Sequence, residues 1–344
     1  MADRWKVKTS EVFFSAEKTI CLALALAVLS FPETGNPDDY DPLEVTPGKP
    51  SRKIALTVQD KTRKREIPIL VYLPPNPNPD NSAVILFSHG LGGSRNACSY
   101  LGEHWAKRGY VAVFLQHPGS DSSVWQAVPL RQRMRTLQKA GNNKNFQLRV
   151  EDVKTVLNQL ETWSTEQGHP LAGLMNLNKI GMAGHSFGAR TTQAVSGQIF
   201  PDPQSDFADE RITAAIALSP SSSSRDKPER AFGKVAIPWM LMTGTHDAAP
   251  FGTSVDPKSR LKVFPSLPPG GKYELVLDKA EHEAFTQEKR RRQTSRNPNH
   301  HRAILGLSSA FWDAHLCDNP QAAAWLQGPG PRSLLEKQDR WQTK

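Results

Sequence analysis

The chain predicts an α/β fold: a mostly parallel central sheet with helices on both faces. Three observations carry this. Short apolar runs alternate with segments of helical periodicity along most of the chain, as repeated strand–helix–strand units require. The runs 83–87 (AVILF) and 111–115 (VAVFL) are continuously apolar, as expected of strands buried on both faces. The pentapeptide Gly184-His185-Ser186-Phe187-Gly188 lies between an apolar run, 179–183, and a helix-forming run, 189–198. It has the form of a strand that turns sharply into a helix with a serine at the apex. A length of 344 residues suits one large domain better than two small ones.

At the N-terminus, Lys6, Lys8 and Lys18 precede an apolar run, 19–31, too short for a membrane span and suited to the core of a signal peptide. Ala25 and Ala27 offer a cleavage site, while Glu11 and Glu17 in a long lead-in leave an uncleaved anchor as the alternative. Residues 1–35 are therefore read as a signal peptide or anchor. Secretion or periplasmic export follows, with no stable membrane span after cleavage. A Pro/Asp/Gly-rich linker occupies 36–50. The body of the fold spans 51–318, and 319–344 forms a C-terminal helix followed by a polar tail.

Within the body, strands are expected at 53–58, 67–73, 83–87, 111–115, 179–183, 212–218, 239–243 and 273–277. Helices are expected at 98–108, 148–163, 189–198 and 303–316. The segment 116–145 breaks the rhythm, opening with Gly, Ser and Pro and closing with a basic amphipathic stretch at 130–139. It reads as a loop and short helix overhanging a cleft. The His300-His301 doublet reads as a polar loop.

A net charge of +9 raises the question of nucleic acid, but the basic clusters at 131–135 and 289–292 do not interleave with aromatics. No recognition-module signature appears either, so these clusters read as solvated faces and no nucleic-acid partner is expected. The three cysteines include Cys21 in the N-terminal apolar run, which leaves Cys98 and Cys317 able to pair in an oxidising compartment. No C-x-x-C or H-E-x-x-H spacing occurs, so neither a metal nor another cofactor is expected. No feature specifies an oligomeric state.

A serine becomes a nucleophile when an imidazole takes its proton and a carboxylate orients that imidazole. In a strand–elbow–helix setting the acid and the histidine follow the serine, each after a later strand. Asp247 lies in the Gly244-Thr245-His246-Asp247 turn that ends run 239–243, and His282 lies just beyond run 273–277. Asp256 and Asp278 are weaker candidates because neither occupies such a turn, and His246 would have to share the turn of the acid. Ser186, Asp247 and His282 are thus the candidate nucleophile, acid and base. Glu281 and Glu283 flank the base, and His185 is expected to pack or hydrogen-bond locally. The oxyanion formed on attack needs donors: the Phe187 N–H and, from the glycine-rich loop 88–94, the Leu91 N–H. That loop lacks the G-K-[ST] ending of a phosphate-binding loop. Trp125 and Phe187 are candidate apolar walls for substrate.

Three motifs together, Phe87-Ser88-His89-Gly90-Leu91-Gly92-Gly93, His117-Pro118-Gly119-Ser120-Asp121 and Gly184-His185-Ser186-Phe187-Gly188-Ala189, resemble one branch of the α/β-hydrolase fold. That branch holds the dienelactone-hydrolase-like proteins, close to the platelet-activating-factor acetylhydrolases and the cutinase-like polyester hydrolases. The resemblance covers roughly residues 50 to 318. It implies a metal-independent serine hydrolase of small-molecule or lipid-like carboxylic esters, with Ser186, Asp247 and His282 as the triad and Leu91 and Phe187 at the oxyanion. True dienelactone hydrolases carry cysteine where this chain has Ser186. A lipase-like or polyester hydrolase is the alternative within the enzyme class, and a catalytically inactive binding protein of the same fold is the alternative outside it.

Overall fold

The structure, a computed structural model, describes residues 39–48, 50–202, 205–223, 226–249, 256–287 and 297–344. The apolar N-terminal run, its cleavage site, Cys21 and the basic cluster 289–292 lie outside the described residues.

The chain opens with a hairpin of β1 (Arg52–Asp60) and β2 (Arg65–Leu73), followed by β3 (Ala83–Ser88), α1 (Ser99–Lys107) and β4 (Val111–Leu115). Three helices come next: α2 (Ser123–Gln126), α3 (Leu130–Ala140) and α4 (Asn143–Thr165). Strand β5 (Asn176–His185) runs into α5 (Phe187–Val195), and β6 (Ile212–Leu218) is followed by α6 (Pro228–Phe232). Then come β7 (Trp239–His246), α7 (Pro257–Arg260), α8 (Val263–Ser266) and β8 (Lys272–Glu281). The chain closes with α9 (Pro298–Leu316), α10 (Pro320–Gln327) and β9 (Arg340–Thr343).

The nine strands form one sheet in the order β1-β2-β4-β3-β5-β6-β7-β8-β9. β4, β3, β5, β6, β7 and β8 are mutually parallel, and the hairpin and β9 flank them antiparallel. The fold is α/β, as the sequence predicts. Alternation along β3 explains the continuous apolar run: Ala83, Ile85 and Phe87 face one core and Val84 and Leu86 the other. Trp105 of α1 and Phe311 and Trp312 of α9 fill the first core, while Val150, Val153 and Leu157 of α4 fill the second.

Three local readings need correction. The polar tail contains β9, which pairs with Tyr273–Val276 of β8 and extends the sheet. Burial on one side of this edge strand comes from Trp341, whose ring stacks 5.7 Å from that of Tyr273. His300 and His301 lie in the first turn of α9, started by Asn297 as cap and Pro298 in its first turn, a favoured combination of cap and first-turn proline. Helix α4 begins earlier than its apolar period does, because the Asn142 side chain caps the Asn145 N–H. Part of the linker is also ordered against the body, with Tyr40 Oη donating to Asp313 Oδ2 at 2.5 Å.

Cys98 and Cys317 are not joined: Cys98 Sγ approaches Phe285 O at 3.3 Å, while Cys317 Sγ lies 3.4 Å from Tyr110 Oη. Helix α3 exposes its arginines 131 and 135, together with Leu130 and Met134, and buries Leu137. Among the described residues no helix is long and apolar enough to cross a membrane.

Candidate active site

The carboxyl ends of β3, β5, β7 and β8 converge on one cavity of about 490 Å³. Sites at the carboxyl edge of a parallel sheet follow from its geometry, because the loops there diverge to leave a crevice.

Ser186 is the cap between β5 and α5, with φ 58° and ψ −112°. A non-glycine residue rarely adopts such angles. Its neighbours permit this because they lack side chains: a Cβ on Gly188 would lie 1.8 Å from Ser88 O, and one on Gly184 would lie 2.4 Å from Gly188 O. Phe187 is the first residue of α5, so its N–H has no acceptor within the helix. Leu91 borders the same cavity from the glycine-rich loop.

At the end of β7 the register with β8 shifts between Gly244 and His246. This bulge leaves His246 exposed and buries Asp247 completely. His282 opens a short 3-10 turn after β8, and its Nδ1 lies 2.6 Å from Asp247 Oδ1. The second carboxylate oxygen accepts from Thr243 Oγ1 at 2.8 Å. Burial alone would raise the Asp247 carboxyl, but the hydrogen bond from His282 and the charge of Arg260 outweigh it and hold the pKa below the ordinary carboxylate value. Ser186 and His282 both border the cavity, and no hydrogen bond joins them. Contacts of this kind commonly tighten when substrate binds.

Trp125 and Phe187 both line the cavity. Trp125 also ties down the glycine-rich loop, donating from Nε1 to Gly92 O at 2.8 Å. The alternative acids lie elsewhere: Asp256 caps α7, and the Asp278 N–H is bonded to Asp339. His185 reaches further than local packing, because its Nε2 meets the backbone O of His282 at 3.1 Å and so supports the turn that carries it. Burial first, and then the charge of His282, push the His185 pKa well below its ordinary value.

Sequence reasoning missed two arginines. Arg260 of α7 donates from Nε to Asp247 O at 2.8 Å and from Nη1 to Ser219 O at 2.9 Å, and its Nη2 lies 3.3 Å from His282 Nδ1. Arg149 of α4 is fully buried under the glycine-rich loop, donating to His89 O at 2.7 Å and to Ser120 Oγ at 2.8 Å. Burial lowers its pKa to about 9, opposed by the charges of Asp152 and Asp121. One signal was present: Arg149 falls at the helical spacing of Phe146, Val150 and Val153, all buried, where a cation needs a reason.

Beside Arg149 runs a second Ser–His–Asp series. Ser88 Oγ lies 2.9 Å from His117 Nε2, and His117 Nδ1 lies 3.0 Å from Asp152 Oδ2. Arg65 grips the same carboxylate with Nε at 2.7 Å and Nη2 at 2.8 Å. Ser88 is wholly buried, so this array cannot meet a substrate. It ties the ends of β3 and β4 to α4. Among the described residues, no cluster of three or more His, Cys, Asp or Glu side chains is arranged to hold a metal.

Residues 55–220 match the family described as platelet-activating factor acetylhydrolase, isoform II. The chain is similar to the platelet-activating factor acetylhydrolases. A relative of that name from Cavia porcellus is 25% identical over 162 residues, which are 40% of this chain and 34% of the relative. The chain therefore spans about a third of the relative that it matches. The family match contains the glycine-rich loop and Ser186 but ends before Asp247 and His282, so the assignment of those two rests on geometry.

Proposed function

We propose that the protein is a serine-dependent carboxylic ester hydrolase. The observation that carries this is the 2.6 Å contact between His282 Nδ1 and Asp247, beside a cavity that His282 shares with Ser186 on its strained turn. In this reading Ser186 Oγ attacks the ester carbonyl and its proton passes to His282 Nε2. Asp247 fixes the imidazole and stabilises its charged form. The oxyanion accepts hydrogen bonds from the Phe187 and Leu91 N–H groups. Collapse expels the alcohol, which takes the proton from His282. Water then attacks the acyl-enzyme with His282 again as base, releasing the acid and Ser186. The relatives' name denotes removal of an acetyl group, and a small acyl ester fits a cavity of about 490 Å³ walled by Leu91, Trp125, Leu137 and Phe187. Those same apolar walls support a second reading, a lipase-like enzyme of longer acyl chains. The N-terminal apolar run fits an exported enzyme in either case.

Hydrolysis of 4-nitrophenyl acetate, butyrate and decanoate, with Ser186→Ala alongside, tests the proposal. Turnover by the wild type that the variant loses is the expected result, with acetate or butyrate preferred. Preference for decanoate selects the lipase-like reading. A folded wild type inactive on all three esters points to the non-catalytic reading.

A further inference from the structure

The two edges of the sheet are finished differently. One edge is β9, four residues long and mostly polar, a short strand of the kind that offers little to another chain. The other is β1, nine residues long and paired with β2 from Arg52 to Asp60 without a bulge. Among the described residues no strand pairs with its outer side. Lys53, a charge of the kind that guards such edges, is drawn over the Tyr72 ring to Glu103 of α1 at 2.6 Å.

The register fixes which polar groups of β1 face outward. The Gln116 N–H donates to Pro68 O at 2.8 Å on the β4 side of β2. Ile67 and Ile69 therefore turn their own backbone groups toward β1, where their partners are Val58 and Leu56. Lys53, Ala55, Thr57 and Gln59 alternate with those partners and turn their N–H and C=O groups outward. Such a row is a template for another strand. On the face toward α4, Val58 is buried, but Ile54 and Leu56 are only half-buried although they pack on that core.

We propose that β1 is a dimer interface: it pairs antiparallel with β1 of a second copy about a two-fold axis at Leu56, continuing the sheet through both molecules. In that register the strand is complementary to itself. Ala55 meets Thr57 of the second copy and Lys53 meets Gln59, which brings together the four residues whose backbone groups point outward. Ile54 meets Val58, and Leu56 meets its own counterpart, on the half-buried face. Exposed Arg52 meets Asp60, so opposite charges close both ends. Asp60 is held in place by Arg63 Nε at 2.6 Å, and a carboxylate has acceptor capacity for a second partner. Sliding the register by two residues sets Arg52 against Val58, or Lys53 against Lys61. The two-fold axis makes every off-axis contact occur twice. No residue of β1 lines the catalytic cavity, so this association does not depend on the esterase reading.

Sedimentation velocity of the full chain, from about 1 to about 100 μM, tests the association. We expect a monomer–dimer equilibrium whose dissociation constant rises about 10-fold in Arg52→Asp, which sets like charges against Asp60 of the second copy. Thr57→Pro removes an outward N–H, a change that edge strands tolerate, and should leave a monomer. Arg52 is exposed, so its variant decides the matter should Thr57→Pro fail to fold. Disulfide trapping reads the register. Residues opposite each other in a non-hydrogen-bonded pair lie about 4.5 Å apart at Cα, within reach of a disulfide. Leu56→Cys should therefore give a covalent dimer on mild oxidation, its bridge located at position 56 by mass spectrometry. Ile54→Cys, roughly 14 Å from its own counterpart, should not. A monomer at every concentration overturns the proposal, as does equal bridging at positions 54 and 56. A dimer indifferent to both Arg52→Asp and Thr57→Pro overturns it as well, by placing another segment at the interface.

Discussion

The Arg149 guanidinium lies 4.4 Å from the centre of the Phe187 ring, and its Nη1 donates to His89 O at 2.7 Å. One buried cation therefore touches both elements proposed to supply the oxyanion donors, the start of α5 and the glycine-rich loop. Their relative position depends on it.

Arg149→Leu should accordingly lower kcat by about 100-fold with little change in KM, because small misplacements of positioned groups carry costs of that order. It orphans the acceptors on His89 and Ser120, and stability should fall by about 2–4 kcal/mol. Urea unfolding and 4-nitrophenyl butyrate kinetics report the two effects separately. Arg149→Lys should recover part of the stability but little of the rate, since a lysine cannot span both acceptors. An unchanged kcat would show that the loop is held by other contacts, such as that of Trp125.

For Asp247→Asn the expectation is a fall in kcat of about 10³–10⁴-fold, because a carboxamide no longer selects the His282 tautomer that accepts the serine proton. Arg260 also loses its counter-charge, so a stability loss of about 1–3 kcal/mol should accompany it. Burst kinetics should show acyl-enzyme formation slowed along with turnover. A loss confined to KM would argue that Asp247 holds the loop and does not serve the histidine.

The parts of this molecule legible in the sequence are those set by local chemistry. β4 and β6 occupy the very residues expected, because continuous apolar runs between turn formers leave little choice. Ser186, Asp247 and His282 were legible as candidates because chain order and strand ends constrain where such groups can lie. β9 was not legible, since Arg340-Trp341-Gln342-Thr343 is mostly polar and becomes a strand through pairing with β8. Arg260 was equally hidden: it reaches Asp247, Ser219 and His282 across the fold, and no spacing encodes those contacts. The bulge that turns Asp247 inward and His246 outward is likewise a property of two paired strands.

Acid should destabilise the protein well above the carboxylate range. Burial, aided by the charge of Arg149 and opposed by Asp152, lowers the His117 pKa to about 4, and burial lowers those of His104 and His315 to about 4 as well. Unfolded imidazoles titrate near 6.5. Between about pH 6.5 and 4 the unfolded chain therefore binds more protons, and stability that is fully present above 6.5 is lost as the pH falls. Each such group accounts for roughly 3 kcal/mol over that window. His117→Gln removes one of them, so its loss of stability between about pH 7 and pH 4.5 should be smaller than that of the wild type, by up to about 3 kcal/mol. Urea midpoints at the two pH values test this, and equal losses would place the acid sensitivity elsewhere. Asp152, held down to about 2 by His117 and Arg65 against the effect of burial, acts in a lower window. Its contribution is present above about pH 4 and disappears toward pH 2.

Ser186 has φ 58° and ψ −112°, and this conformation is imposed by packing that Gly184 and Gly188 allow and a Cβ would forbid. Strain of this kind costs about 1–3 kcal/mol for a residue with a side chain and almost nothing for glycine. Glycine also forfeits more chain entropy on folding, by roughly 0.5–1 kcal/mol. The two terms oppose each other, and the strain should win. Ser186→Gly is therefore expected to be more stable than Ser186→Ala by about 1 kcal/mol, although both should lose ester hydrolysis. Comparing these two variants cancels the loss of the hydroxyl, which a comparison with the wild type would not. Calorimetric melting of the pair supplies the measurement. An Ala variant as stable as the Gly variant would mean that the turn relaxes once the serine is gone.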